Sequence, residues 1–399
     1  MENFIFISPD FPKNYDQFVR ALKKVGFNVL GIGATPYHEI SSSLKDNLTE
    51  YYYCPDLADY ERVYRAVAFL IFKYGKIAYL ESNNEHWLVN DARLREDFNI
   101  PGLRPHELVY IKRKSKMKEL YRKATVKYAS YALVTTLSDF DDFLEDFGYP
   151  LFIKPDIGVG ATDSFKINNE QEKQAFFASK KNITYIVEPF IEGVITSFDA
   201  IVDLEGQVVF ATSHIFPVAN DEIAQGVSDD YYYSPPTVDP ELALVGERVI
   251  KAFDIRGRNV HLEFFKLTKT TTFATEGEYI GLEVNMRSPG GYIPDMISHA
   301  SGIDYYLTYA QVMKGMEIPP YKSEHRRYGL EVSRRKEILD QYVYTNEDIR
   351  QKYQHILVDS GLYPEILASG MGDFYFVGLF DDLNSALDFK SDVLKRKIE

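Results

Sequence analysis

The chain has 399 residues, of which 45% are apolar and 26% charged, a composition typical of a globular protein and not of a disordered chain. Its formal net charge of −14 argues against a nucleic-acid partner, because such a surface repels a phosphate backbone. The longest uncharged apolar run, at 66–72, is too short to cross a bilayer, so we expect no membrane segment. The N-terminus lacks a secretion signal and the single cysteine is Cys54, so a cytoplasmic protein is expected.

The first hundred residues alternate between strand-like and helix-like patterns. The spacing of apolar residues predicts strand 4–8, helix 15–25, strand 27–32, helix 60–74, strand 76–80 and helix 85–98. Strands that alternate with helices predict a parallel sheet. Gly31 and Gly33 do not complete the GxGxxG pattern of a dinucleotide-binding turn, so a nicotinamide cofactor is not expected. The segment 99–105, with two prolines and a glycine, predicts the end of this unit.

Two later segments have features of an anion-binding site. Residues 108–128 carry eight basic side chains and one acidic side chain, although this pattern is also typical of a solvated helix face. A predicted strand ends near Lys154 and leads into the turn 156–164, which contains Gly158 and Gly160. Glycines let backbone N–H groups approach an anion, and the lysine adds a positive charge. A glycine hairpin without a ligand remains the alternative.

A third segment has the features of a site for a flat heterocycle. The predicted strand that begins at Tyr185 leaves Glu188, Phe190 and Ile191 ahead of the next strand, 197–202. Backbone N–H and C=O groups at such a hinge can bind the edge of an adenine ring, while apolar side chains contact its faces. An ordinary connection between two strands is the alternative interpretation.

The most informative segment contains Glu283, Asn285 and Arg287. Side chains alternate along a strand, so these three polar groups are predicted to share one face. Carboxylate and amide oxygens suit Mg²⁺, and a guanidinium suits a phosphate or acyl phosphate. Glu263 lies on an earlier strand, and the hairpin-like connection 268–278 is predicted to pair the two strands and set Glu263 beside Glu283. Two adjacent carboxylates repel unless a cation bridges them, which predicts a metal site.

Taken in chain order, these segments resemble the ATP-grasp superfamily over the whole chain, and specifically its carboxylate–amine ligases, biotin carboxylases and carbamoyl phosphate synthases. The resemblance implies an α/β and α+β fold in three parts. These would be an N-terminal Rossmann-like pre-ATP-grasp domain with a parallel sheet at 1–107, an ATP-grasp domain at 108–318 with a lid at about 125–190, and a small C-terminal α+β segment at 319–399. Within the last part, strands are predicted at 328–333 and 375–380 and a helix at 383–398.

The resemblance also implies roles for individual residues. Lys114, in a segment similar to the family's DKxxM element, and Lys154 would bind phosphates, with Lys116 as the alternative to Lys114. Gly158 and Gly160 would belong to the loop that covers the phosphates. The other roles are adenine binding for Glu188, Phe190 and Ile191, magnesium binding for Glu263, Glu283 and Asn285, and stabilisation of the transferring group for Arg287. Glu85 would lead the pre-domain's last helix, and Val194 and Ile195 follow Gly193 where the family often has a ribose-binding glutamate.

The function implied is that of an ATP-dependent carboxylate ligase. Such an enzyme forms an acyl phosphate that an amine, or another nucleophile, attacks, and it releases ADP and phosphate. The cofactors would be ATP and one or two Mg²⁺, with Mn²⁺ as a substitute, and the substrates a small carboxylate and a small amine. A homodimer is compatible with the resemblance. The alternatives are a nucleotide-binding regulatory protein without ligase activity, or a carboxylase or kinase that uses the same site.

Overall fold

The computed structural model describes residues 1–158, 163–217, 230–319 and 326–397. The strands within these ranges are β1 (Asn3–Ile7), β2 (Asn28–Gly33), β3 (Glu50–Tyr53), β4 (Ile77–Glu81), β5 (Ala132–Val134), β6 (Leu151–Pro155), β7 (Phe165–Ile167), β8 (Tyr185–Pro189), β9 (Gly193–Val202), β10 (Val208–Phe216), β11 (Tyr231–Ser234), β12 (Arg258–Leu267), β13 (Tyr279–Asn285), β14 (Tyr328–Arg334), β15 (Leu357–Leu362) and β16 (Phe374–Phe380).

The helices within the same ranges are α1 (Asp16–Lys24), α2 (Ser42–Asn47), α3 (Tyr60–Tyr74), α4 (Leu88–Asp97), α5 (Val109–Lys112), α6 (Lys114–Lys123), α7 (Leu137–Phe147), α8 (Glu170–Ser179), α9 (Pro240–Ala252), α10 (Ile293–Ser301), α11 (Tyr305–Met313), α12 (Asn346–Lys352), α13 (Glu365–Met371) and α14 (Leu383–Val393), with 3₁₀ helices at Lys13–Tyr15 and Lys336–Gln341. None of the helices in these described ranges is long and apolar enough to span a membrane.

The N-terminal unit contains the predicted parallel sheet. Its strand order is β3-β2-β1-β4, and all three pairings are parallel. Helix α3 has the predicted bounds, whereas α4 begins at Leu88, three residues later than predicted. Strand β3 was not predicted, because its consecutive tyrosines do not alternate between apolar and polar residues and its side chains are only partly buried.

A second sheet lies within the range that was predicted to form the lid. Its order is β5-β8-β6-β7, and all of its pairings are antiparallel. Residues of α7 and α8, among them Phe140, Phe143 and Phe176, pack with Leu151, Ile153 and other strand residues in one apolar cluster. Strand β6 lies between β8 and β7, so Lys154 comes directly beside the strand that carries Glu188.

The largest sheet joins two predicted parts of the chain. Its eight strands run in the order β13-β12-β9-β10-β11-β14-β16-β15, so the C-terminal strands extend the sheet that contains Glu263 and Glu283. The predicted C-terminal strands and helix are present, although α14 ends at Val393. The sheet is continuous across the predicted division between residues 318 and 319, and that division stays a prediction.

Glu331, on β14, is a buried carboxyl group in the C-terminal half of this sheet. Only 1% of the residue is exposed, and its Oε2 accepts a hydrogen bond of 2.5 Å from the Tyr232 hydroxyl. The Tyr363 hydroxyl donates to Oε1. Burial raises the pKa of Glu331 to about 7, against the lowering effect of the two hydroxyls, and the charges of Asp230 and Asp359 add to the increase.

This burial predicts a pH-dependent stability. The pKa of the Glu331 carboxyl is about 7 in the folded chain, compared with the ordinary value of 4.5 that applies in the unfolded chain. The stability that this group contributes is therefore complete below about pH 4.5 and is lost as the pH rises to 7. We expect Glu331→Gln to match the wild type near the lower pH and to be more stable above neutrality, by roughly 3 kcal/mol. Urea unfolding of both proteins across this range measures the difference. A difference that is the same at every pH would contradict the expectation.

Candidate active site

Three buried side chains form the centre of the site. The Glu188 carboxylate on β8 lies between Lys118 of α6, at 2.6 Å, and Lys154 of β6, at 2.9 Å. All three residues are at least nine-tenths buried. Burial alone would raise the pKa of Glu188, but the two ammonium groups have a larger combined effect and lower it to about 2. Two lysines therefore face one ionised carboxylate, and the excess positive charge suits an anion.

Lys114 lies at the edge of the same cluster. Its ammonium donates to the Gly158 carbonyl at 3.1 Å. Burial lowers the pKa of Lys114, and this effect is opposed chiefly by Glu283, so the ammonium is within electrostatic reach of the predicted metal site. Lys116, the alternative, is half-exposed and pairs with Glu119 at 2.6 Å. The structure thus places Lys114 and not Lys116 at the site, whereas Gly160 lies outside the described residues.

Asp156 holds the first turn of α6 against the end of β6. Its Oδ1 accepts the Ser115 N–H at 2.9 Å, its Oδ2 accepts the Arg113 guanidinium at 3.1 Å, and its carbonyl accepts the Lys114 N–H at 2.9 Å. An oxygen acceptor at this place satisfies N–H groups that a helix leaves unpaired in its first turn. Asp156 therefore fixes Lys114 and Lys118 relative to Lys154.

The predicted adenine region is lined by apolar side chains. The centre of the Phe190 ring lies 6.5 Å from the centre of the Phe152 ring. The Lys166 ammonium lies 3.8 Å from the centre of the Phe190 ring. Ile191 packs against an apolar cluster that includes Ile280. The Phe190 N–H already donates to the Pro150 carbonyl at 3.1 Å, so a ring bound here would use other backbone groups.

The two carboxylates of the predicted metal site lie directly opposite each other. Strands β12 and β13 are antiparallel, with Glu263 paired to Glu283 and His261 paired to Asn285, so the predicted pairing is confirmed. The register then shifts: Phe264 pairs with Gly281, and Leu282 has no opposite residue. This bulge places Glu283 and Asn285 on the face of β12 that carries His261 and Glu263.

The chemistry of this pair fits a divalent cation. Burial and the Glu263 charge raise the pKa of Glu283, which shows that the two groups repel. Asn285 is 4% exposed, and its Nδ2 has no hydrogen-bond partner among the described residues. Two carboxylates and an amide offer the oxygen ligands that Mg²⁺ prefers. No group of three or more His, Cys, Asp or Glu side chains suited to a metal occurs in the described ranges.

A chain of buried polar residues continues from Glu263 across the sheet. Glu263 Oε1 lies 3.0 Å from His261 Nε2, and His261 Nδ1 lies 2.5 Å from Asp199 Oδ1. Asp199 Oδ2 in turn lies 2.7 Å from His214 Nδ1 and accepts from the Ser197 hydroxyl. Asp199 and His261 were not predicted as site residues. Burial alone would lower the pKa of His261, but the Asp199 and Glu263 carboxylates have a larger combined effect and raise it to about 9.

Two further charged residues affect the predicted metal site: Arg287, and Glu85 of the N-terminal unit. Arg287 follows β13 and donates to the Ser288 carbonyl at 2.7 Å. Burial alone would raise the pKa of Glu263, but His261 lowers it and the Arg287 charge adds to that lowering. The same Arg287 charge partly opposes the burial that raises the pKa of Tyr15 to about 12. Glu85 pairs with Lys112 at 2.5 Å, and its charge adds to the raised pKa of Glu283.

Comparisons with known proteins show which family and which folds this chain is similar to. Residues 117–290 match the ATP-grasp domain family. The L-arginine-specific L-amino acid ligase of Bacillus subtilis is 24% identical over 317 residues, which are 77% of this chain and 74% of that protein.

Two solved structures have the same fold. The L-amino acid ligase of Bacillus licheniformis aligns with a TM-score of 0.73 at 15% identity, over 98% of this chain and 97% of that chain. The biotin carboxylase domain of the Hydrogenobacter thermophilus 2-oxoglutarate carboxylase, in complex with MgADP and bicarbonate, aligns with a TM-score of 0.67 at 14% identity, over 99% and 90%. The fold predicted from the sequence is confirmed, and two of these three proteins are ligases, the predicted class of enzyme.

Proposed function

We propose that this chain, whose residues 117–290 match the ATP-grasp domain family, is an ADP-forming ligase that activates a small carboxylate and joins it to an amine. One observation carries the proposal. A lysine cluster with excess positive charge lies within electrostatic reach of Glu283, and Glu263, which faces Glu283, lies within electrostatic reach of Arg287. Phosphoryl transfer needs such neutralisation and alignment more than it needs covalent help from the protein.

The residues divide into two groups by what they bind. Lys114, Lys118 and Lys154 bind the phosphates of ATP, and Phe190 and Ile191 contact its adenine ring. The oxygens of Glu263, Glu283 and Asn285 bind Mg²⁺, which neutralises charge on the phosphates.

Arg287 acts where charge develops during the reaction. A carboxylate oxygen attacks the γ-phosphorus, the bond to the β–γ bridging oxygen breaks, and ADP leaves. The amine nitrogen then attacks the carbonyl carbon of the acyl phosphate, the bond to the phosphate oxygen breaks, and the amine proton leaves with phosphate or water. The Arg287 guanidinium stabilises the phosphoryl charge first and the carbonyl oxyanion afterwards.

The relatives favour amino acids as substrates. Two of them are named L-amino acid ligases, so we propose that an amino acid supplies the carboxylate, the amine or both.

A pairwise screen for ADP release tests this function. We expect release from ATP and Mg²⁺ only when a particular carboxylate and a particular amine are both present. Hydroxylamine in place of the amine should give a hydroxamate of the carboxylate. The Glu283→Gln variant, which loses one proposed metal ligand, is the control and should be inactive. ATP binding without ADP release for any pair would overturn the ligase proposal, and ADP release that needs bicarbonate would favour a carboxylase.

A further inference from the structure

We propose that Asp199 and His261 are positioning residues that hold the Glu263 carboxylate in its orientation for binding Mg²⁺. This proposal rests on the metal-dependent function proposed above. The proposed function assigns these two residues no contact with the nucleotide. The supporting observation is the chain of buried polar residues on one face of the large sheet: Glu263, His261, Asp199 and His214.

The His261 ring is held at both nitrogens. Nδ1 lies 2.5 Å from Asp199 and Nε2 lies 3.0 Å from Glu263, so the ring cannot turn without losing one of these hydrogen bonds. The strands enforce the same arrangement, because His261 on β12 lies directly opposite Asp199 on β9. His261 and Asp199 are 6% and 1% exposed, so water does not compete for either of them.

Asp199 is itself held from the other side. Its second oxygen lies 2.7 Å from His214 Nδ1 on β10 and accepts the Ser197 hydroxyl. The same hydroxyl oxygen accepts the His214 N–H at 3.1 Å. The Asp199 carboxylate therefore has contacts on three adjacent strands, β12, β9 and β10, and provides a rigid support for His261.

This support answers a specific problem at the metal site. Glu263 and Glu283 face each other and repel, so an unsupported Glu263 side chain would turn away when no cation is bound. Because His261 binds Oε1 of Glu263, the side chain stays in place and Oε2 is left for the cation. Groups that orient a metal ligand in this way commonly change metal affinity by about 10- to 100-fold when they are removed.

The first test measures metal binding without turnover. Mn²⁺ is titrated into the protein in the presence of ADP and followed by its electron paramagnetic resonance signal. We expect Asp199→Asn to bind Mn²⁺ about 10- to 100-fold more weakly than the wild type. Asp254→Asn, which removes an exposed carboxylate paired with Arg256, is the matched control and should bind normally.

The outcomes separate this proposal from the proposed function. If the wild type does not bind Mn²⁺, the metal site is wrong and the positioning role falls with it. If the wild type binds and a folded Asp199→Asn binds equally well, only the positioning role is wrong.

A second measurement uses the wild-type chain, in case Asp199→Asn does not fold. The protein is labelled with ¹⁵N-histidine, and the His261 signals are identified by their loss in His261→Gln. We expect these signals to shift when Mg²⁺ is added to the ADP complex, because a cation on Glu263 changes the charge facing Nε2. The signals of His299, on α10, should stay unchanged. Unchanged His261 signals on saturation with Mg²⁺ would overturn the proposal.

Discussion

Replacement of Arg287 by alanine is expected to lower ADP release by about 10³-fold or more while the protein stays folded, in line with the contribution of arginines that stabilise phosphoryl transfer. The guanidinium lies within electrostatic reach of Glu263, and Arg287 comes two residues after Asn285, the last residue of β13. Its loss removes the cation that is proposed to stabilise the charge of the transferring group. Steady-state ADP release, with circular dichroism and thermal unfolding of the same samples, measures the effect.

Two further variants define the role of this arginine. Arg287→Lys keeps the positive charge but loses the planar guanidinium, so we expect it to recover only part of the activity. Arg256→Ala removes an exposed arginine that pairs with Asp254, and it should retain wild-type turnover. Turnover close to that of the wild type in Arg287→Ala would exclude this residue from the reaction.

A second large effect is expected on stability. Glu188→Gln removes the carboxylate between Lys118 and Lys154 and leaves two buried ammonium groups unpaired. Breaking a buried ion pair from one side costs about 3 to 5 kcal/mol. Urea unfolding should therefore show a large loss, and an ATP analogue that cannot be hydrolysed should recover more stability in the variant than in the wild type, because its phosphates replace the missing negative charge.

The matched control for this variant is Glu119→Gln. That substitution also removes a carboxylate from a lysine, but the pair with Lys116 is half-exposed and is expected to contribute less than about 1 kcal/mol. Similar losses for the two variants would show that the Glu188 cluster does not have the energetic role assigned to it.

The sequence predicted the parts of the site that depend on local pattern. The parallel sheet followed from alternating strands and helices, and the pairing of Glu263 with Glu283 followed from the period of two along each strand and the short connection between them. Lys118 was missed as a site residue although a local signal existed. It follows Lys114 by four residues on α6, so both side chains lie on one face of the helix.

The residues that the sequence did not reveal depend on pairings between distant strands. Asp199 lies opposite His261 only because β9 and β12 are neighbours, and Asp156 contacts the first turn of α6 from 41 positions along the chain. Polar residues did alternate within buried strands, at Ser197 and Asp199 and again at His261 and Glu263. That pattern indicates that each strand has a polar face, but only the strand order shows that the polar side chains of the two strands lie next to each other. The same limit applies to the C-terminal strands, whose place in the large sheet no local pattern specifies.

The bulge at Leu282 gives β13 one residue that has no partner on β12 and is not a proposed metal ligand. Tyr279 and Gly281 face the apolar cluster around Tyr121, and after the extra residue Val284 faces the same cluster. Deletion of Leu282 would therefore restore regular alternation and leave Glu283 and Asn285 on the face opposite that cluster, whereas the present sequence paired without a bulge would turn Glu283 into the cluster. Position 282 is therefore where β13 can lose a residue without turning the proposed metal ligands away from the site, and libraries that vary the length of this strand should do so there.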